Sequence, residues 1–205
     1  CFHVGSQVRD AATYQASLSL AQDILKTANV PVPALDIGGG FPAAYLGEEE
    51  AHWTDVLMAA VDMLKATGLA SNSTLLCEPG RAMVADGVSL LTRVLLRDDD
   101  LLFINDGAWG AFSETLTADT RWPARVFRAG GTRAAGNTSP FKIAGVTCDS
   151  CDMLTGIYDL PNEIGRGDWI EFAMMGAYSQ VLRTDFNGFG HHTVVLVDQP
   201  FDGTD

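Results

Sequence analysis

Three consecutive glycines, in Asp36-Ile37-Gly38-Gly39-Gly40-Phe41-Pro42, and a later Glu78-Pro79-Gly80-Arg81 hold most of the chemistry legible in this chain. Consecutive glycines leave backbone N–H groups bare of side chains, so an anion such as phosphate can approach them closely. Arg81 adds a planar fork of donors suited to the same anion. Glu78, three residues earlier, offers a carboxylate to a cation or a protonated base. An anion site beside a cation site fits a phosphorylated, nitrogen-containing cofactor better than a nucleotide. Near the start, His3-Val4-Gly5-Ser6-Gln7 brings an imidazole and a hydroxyl. Much later, Thr147-Cys148-Asp149-Ser150-Cys151 brings a thiol beside a carboxylate.

Elements must hold these groups. Val32-Pro33-Ala34-Leu35 and Thr74-Leu75-Leu76-Cys77 predict short buried strands that end at the glycine run and at Glu78. Cys1-Phe2-His3-Val4 reads as a strand already under way, so the chain is expected to be a fragment cut inside a domain. Residues 10–26 set Tyr14, Leu18, Ala21 and Leu25 on one helix face, and residues 51–65 repeat this with Trp53, Leu57, Ala60, Val61 and Leu64. Strand and helix alternate as in a βα barrel or a doubly wound sheet. In a parallel barrel the C-terminal strand ends share one mouth. His3, Ser6, Gly38, Gly39, Gly40, Glu78 and Arg81 would converge there on one ligand.

From residue 87 the pattern changes to short β runs at 90–95, 101–104, 124–127 and 169–172. Turn formers such as Arg97-Asp98-Asp99-Asp100 and Gly130-Gly131 punctuate them. Residues 129–140 read as a surface loop, and the apolar run Trp169 to Met175 as a core strand. The expected division is residues 1–86 and a β domain at 87–205.

The 205 residues, 47% hydrophobic and 19% charged, suit one or two packed domains. No apolar run approaches the roughly 18–20 residues that span a bilayer, and nothing at the start looks like a signal peptide. The expectation is no membrane. Four scattered cysteines make no disulfide framework, which points to a reducing, cytoplasmic setting. The net charge of −13 disfavours nucleic acid and mildly favours cationic small molecules. Cys148-Asp149-Ser150-Cys151 invites a zinc or redox reading. Zinc lacks a second ligand pair at usable spacing, His191-His192 being a lone doublet. A thioredoxin-like motif would open a helix in a βα unit, whereas this one lies in the β-rich half. No metal is expected.

Taken in order, His3 to Gln7, Asp36 to Phe41, Glu78 to Arg81, Asn105-Asp106-Gly107, Thr147 to Ser150, Gly176-Ala177-Tyr178 and Phe186-Asn187-Gly188-Phe189 resemble the ornithine/lysine decarboxylase family. These are pyridoxal 5'-phosphate (PLP) enzymes of fold type III. The resemblance implies an α/β plus all-β chain: the last strands of a PLP-binding (β/α)8 barrel at 1–86, then a β domain carrying a dimer-interface catalytic loop. It implies that His3 stacks on the pyridine ring and that Ser6, Gly38–Gly40, Arg81 and Tyr178 contact the cofactor, chiefly its phosphate. Glu78 beside the ring nitrogen would favour the protonated pyridinium. Cys148 would return a proton after CO₂ leaves, and Asp149 would bind the distal ammonium of the substrate. Both would act in the partner's site of a homodimer. The implied reaction converts ornithine or lysine to a diamine in polyamine biosynthesis.

Each residue also has an ordinary reading. His3 would be a satisfied histidine, Ser6 a helix cap, the glycines a tight turn, Glu78 a partner of Arg81, and Tyr178 a buried aromatic. Cys151 reads as structural. The family's Schiff-base lysine lies on an earlier barrel strand, and Lys26, Lys65 and Lys142 match no motif. This chain alone is therefore expected to be inactive. The substrate-amine aspartate expected a dozen residues past Asp106 falls on Ala118, with Glu114 and Asp119 nearby. Val146 and Trp109 stand where proline and tyrosine are usual. Diaminopimelate decarboxylase shares two motifs but typically follows its cysteine with Glu-Ser, so Asp149 favours ornithine or lysine. A non-catalytic regulatory homologue is the remaining alternative; the retained Glu78 and Cys148 argue against it.

Overall fold

A computed structural model describes residues 1–48, 52–68 and 73–201. It divides into two compact units, Cys1–Ala44 with Glu49–Met83, and Tyr45–Glu48 with Val84–Asp205.

The first unit is a strand–helix–strand piece with a further helix before it: α1 (Ala12–Ala28), β1 (Ala34–Asp36), α2 (Trp53–Thr67) and β2 (Thr74–Leu76). A helical crossover permits parallel pairing, and β1 and β2 run parallel with Leu35 opposite Leu75. Hydrogen bonds continue the pairing past the last strand residues, Ile37 N–H to Leu76 O at 3.0 Å and Glu78 N–H to Gly38 O at 2.8 Å. Both helices stop at a left-handed residue, Asn29 and Gly68, with Lys26 and Lys65 in the last turns complementing the dipole. Tyr14 and Leu18 of α1 and Val56, Ala60 and Leu64 of α2 close over Leu35, Ile37 and Phe41. Tyr14 and Phe41 stack at 5.6 Å.

The second unit is one six-stranded sheet of β3 (Leu90–Asp98), β4 (Leu101–Ile104), β5 (Ala124–Phe127), β6 (Thr138–Ala144), β7 (Tyr158–Pro161) and β8 (Trp169–Phe172). The spatial order is β5-β8-β3-β4-β6-β7, antiparallel except for β4 with β6. A register shift between Val94 and Leu96 lets β3 pair β8 with its first half and β4 with its second. Such a bulge bends a strand and increases its twist. The edge strands β5 and β7 return into contact, so the sheet is nearly closed. Phe112, Trp122, Tyr158 and Phe172 fill it with near-perpendicular ring pairs 4.8–5.8 Å apart, the geometry that ring quadrupoles favour.

Several sequence expectations need correction. Cys1 to Val4 is not a strand; among the described residues Phe2 N–H to Asp36 O at 3.2 Å is its one ladder-like bond. The loop expected at 129–140 ends earlier, because β6 opens at Thr138. The strand expected through Met175 stops at Phe172, although 173–175 stay buried. Strands β6 and β7 gave no clear alternating signal. Helix α2 begins at Trp53; residue 51, where it was expected to start, lies outside the described residues. Among the described residues no helix is long and apolar enough to cross a membrane.

The Tyr14 hydroxyl donates to Gly39 O at 2.8 Å inside the first core. Burial, and secondarily the Cys77 thiol, push this hydroxyl up from 10.0 to about 12. The folded state therefore holds the proton more tightly than the unfolded chain does. The stabilisation is complete below pH 10 and is lost as pH rises toward about 12. Tyr14→Phe should cost about 1 kcal/mol at pH 8, and the gap from wild type should narrow by about as much at pH 11. Urea unfolding at the two pH values checks it; a gap that widens with pH would refute the account.

Candidate functional site

In the first unit the glycine run is clamped from both sides. A Cβ on Gly38 would strike Phe2 O, and one on Gly40 would strike Gly5 O. At Gly39 a Cβ would lie 2.6 Å from Glu78 O and 3.4 Å from His3 Cε1. Gly38 and Gly40 also sit at φ +71° and +98°, where side chains are strained. The run thus threads past Phe2, then between His3 and Glu78, then past Gly5.

Its amides are partly engaged. Gly38 N–H donates to Asp36 Oδ1 at 2.8 Å and Gly39 N–H to His3 Nδ1 at 3.3 Å. Gly40 keeps an N–H with no protein partner among the described residues. The bond from Gly39 makes Nδ1 an acceptor, which places the proton of a neutral imidazole on Nε2 and fixes the ring's orientation. Gln7 steadies the preceding loop: its amide donates to Ala43 O and accepts from Ala43 N–H, both at 2.8 Å.

Two charges flank this run. Arg81 is buried, and its Nη2 donates to Ser6 Oγ at 3.4 Å. The Glu78 side chain is exposed and makes no ion pair or hydrogen bond among the described residues, so the ordinary reading of a Glu78–Arg81 pair is not what forms. His3, Ser6, Gly38, Gly39, Gly40, Glu78 and Arg81 all gather at the ends of β1 and β2. Cys77, between them, is held up by burial and by the Asp36 carboxylate, which keeps it a protonated thiol.

In the second unit the loop between β6 and β7 carries Cys148 and Asp149. Its anchor is Asp152, a 3% exposed carboxylate that accepts N–H bonds from Ala108 at 2.7 Å and Thr147 at 2.9 Å, plus the Thr147 hydroxyl at 2.7 Å. Gly107 and Gly145 make room for it: a Cβ on either would collide with the carboxylate. Asp149 Oδ1 accepts Cys151 N–H at 2.9 Å, a local turn that leaves Cys148 exposed at the tip.

Cys148 Sγ lies 3.4 Å from Asn187 Oδ1. The segment bearing Asn187 is tied down by Arg183, whose Nη1 reaches Asp106 Oδ2 at 2.7 Å in a buried pair. Asp106 Oδ1 also accepts N–H bonds from Gly107 and Ala111. Tyr178, at φ +56°, is 44% exposed, so the buried-aromatic reading does not apply. Its carbonyl accepts the Ser113 hydroxyl at 3.4 Å. Cys151 is exposed and all four cysteines are free. Glu114 is half-buried and Asp119 exposed. Among the described residues no cluster of three or more His, Cys, Asp or Glu is placed to hold a metal ion.

Sequence reasoning missed Asp152 and Arg183, and quoted Asn187 within a motif without giving it a role. For Asp152 the available signal was glycine: Gly107 and Gly145 vacate the space that it fills.

Comparison with known proteins agrees with the fold and the motifs. Residues 1–85 match the family described as pyridoxal-dependent decarboxylase, pyridoxal binding domain. The lysine/ornithine decarboxylase of Selenomonas ruminantium is 32% identical across 98% of this chain and 51% of its own length. A diaminopimelate decarboxylase of Actinosynnema pretiosum subsp. auranticum is 32% identical across 95% of this chain and 45% of its own. The crystal structure of the Vibrio vulnificus lysine/ornithine decarboxylase complexed with putrescine superposes with a TM-score of 0.79 at 27% identity, covering 96% of this chain and 53% of that one. The chain spans about half the length of the curated relatives it matches. Its fold is that of about half of the fold type III decarboxylases it superposes on, and residues 1–85 match the pyridoxal-binding domain of pyridoxal-dependent decarboxylases.

Proposed function

We propose that the full-length protein is a cytoplasmic, homodimeric PLP-dependent decarboxylase that converts ornithine or lysine to a diamine for polyamine biosynthesis. In this reading residues 1–86 are the end of the cofactor barrel and 87–205 the β domain. The observation that carries it is the set of groups at the ends of β1 and β2: a buried Arg81 on Ser6, a Glu78 carboxylate with no pair among the described residues, and the His3 ring held by the Gly39 amide. That set fits a flat, phosphorylated heteroaromatic ring with a basic nitrogen. Gly38 and Gly39 also keep the backbone bare where a Cβ would strike neighbouring main chain.

PLP, when bound, supplies an electron sink for the bond pair that CO₂ leaves behind. The chain's own residues do the rest. Arg81, Ser6, the Gly40 N–H and Tyr178 bind phosphate, with Gly38 and Gly39 shaping the turn. His3 presents a ring face of fixed orientation. Glu78 holds a proton on the ring nitrogen by direct charge attraction. Cys148 gives its thiol proton to the carbon that has lost CO₂ and regains one from water, while Asp149 takes the substrate's distal ammonium. Both act in the partner's site. The similarity to a diaminopimelate decarboxylase favours a second reading. Assays with ornithine, lysine and meso-diaminopimelate on the full-length protein separate the two, and turnover of none of them would refute both.

Two substitutions test the roles. Glu78→Gln in the full-length protein should lower turnover far more than cofactor affinity, because the charge matters most as negative charge develops on the substrate. A rate within about twofold of wild type, under half a kcal/mol at the barrier, together with collapsed affinity would refute the assignment. Cys148→Ala should slow diamine formation by roughly 10²–10⁴, the range for a positioned proton donor. Mixing Cys148→Ala chains with chains lacking the Schiff-base lysine should partly restore activity, since one of the two shared sites then carries neither lesion. No recovery despite verified subunit exchange would overturn the shared site.

A further inference from the structure

We propose that Asn187 is a positioning residue for Cys148: its side-chain carbonyl accepts the thiol S–H and aims it. This rests on the reading of Cys148 as a proton donor. The contact, Sγ to Oδ1 at 3.4 Å, joins two segments far apart in sequence.

Its distance is set by a shared base. The Cys148 loop is bound to residues 105–111 by Asp152, through Ala108 N–H. The Asn187 segment is bound to the same stretch by Arg183 on Asp106 and by Thr184, whose N–H and hydroxyl both donate to Trp109 O, at 3.1 and 2.8 Å. Phe186 lies against the Trp109 ring at 5.2 Å. Two carriers stapled to one loop by buried carboxylates cannot drift independently, so sulfur and oxygen meet by construction.

The backbone is equally specific. Asn187 is left-handed at φ +55° and Gly188 follows at +79°. Apart from glycine, asparagine and aspartate are the residues that tolerate this region best. Glycine would serve the turn as well, so the turn alone does not require a side chain at 187. The chemistry gives the reason. A proton donor must be protonated when it acts, and a carbonyl oxygen beside sulfur favours S–H over the thiolate, whose charge it repels.

Site-resolved alkylation by iodoacetamide tests this in the full-length protein, with Cys148 distinguished from Cys151 by peptide fragmentation. Asn187→Gly removes the acceptor and keeps the left-handed turn; Asn187→Asp keeps turn and acceptor. Near neutral pH, Cys148 in Asn187→Gly should react about 2–5-fold faster than wild type, the size of one modest hydrogen bond. The ratio should fall to one at high pH, where every thiol is ionised, which separates this effect from easier access. Asn187→Asp should react no faster than wild type. A Gly variant that is unchanged, slower, or faster by one constant factor at all pH values would overturn the proposal, as would an Asp variant that matches Gly. Product analysis then reads the catalytic role. The Gly variant should divert more turnovers to aldehyde, and the Asp variant fewer. Altered alkylation with an unaltered product ratio would uphold the positioning and refute Cys148 as the donor.

Discussion

Two buried carboxylates, Asp106 and Asp152, impose the constraint on which the order of the second unit's loops depends. A carboxylate removed from water is tolerated only when its oxygens are met by donors. Asp152 has three, two backbone N–H groups and a hydroxyl. Asp106 has two N–H groups and a guanidinium. All of those donors belong to loops. Satisfying the charges therefore fixes residues 105–111, 145–152 and 183–187 relative to one another, which packing of the six strands could not do. Glycines complete the arrangement: Gly107, Gly110 and Gly145 each lack the Cβ that would strike one of the two carboxylates.

The first unit solves a similar problem with backbone rather than buried acid. Its glycine run makes close main-chain contacts with Phe2, Gly5 and Glu78, and these contacts rather than open space explain why Gly38 and Gly39 carry no side chain. Reading three glycines as three free amides overstates the donors left for an anion. Two of the N–H groups are turned inward to Asp36 and His3. The inward bonds have their own use, because the one to His3 decides which imidazole nitrogen carries the proton.

Legibility in the sequence followed the range of the interactions. Helices α1 and α2 appear at nearly their observed positions because a 3.6-residue period is local and their buried faces obey it. Strands β3, β4, β5 and β8 were likewise marked by apolar runs between turn formers. Strand β6 was hidden by Pro140, Lys142 and the polar Thr138-Ser139, and β7 by Asp159 and Pro161, residues tolerated there by tertiary pairing. The gathering of Gly39, Glu78 and Arg81 was legible because their motifs follow the ends of β1 and β2, whereas His3 reaches the same place from a segment that is not a strand. Asp152 and Arg183 were not. Nothing local distinguishes a solvated aspartate from one that accepts three bonds in a core; that depends on loops up to 44 residues away.

Both units obey one energetic logic. His3, Glu78, Cys148 and Asn187 are exposed, and for such side chains solvent weakens any structural contribution. The groups that hold them, Gly39, Asp106, Asp152 and Arg183, are buried in their reactive parts, where hydrogen bonds to charge are strong and loss of one partner costs about 3–5 kcal/mol. Precision at the surface is thus derived from the interior. A substitution at an exposed member should alter chemistry with little effect on folding, whereas one at an anchor should disturb both. That asymmetry is what a site needs if its reactive groups are to stay open to a ligand and still keep a fixed geometry.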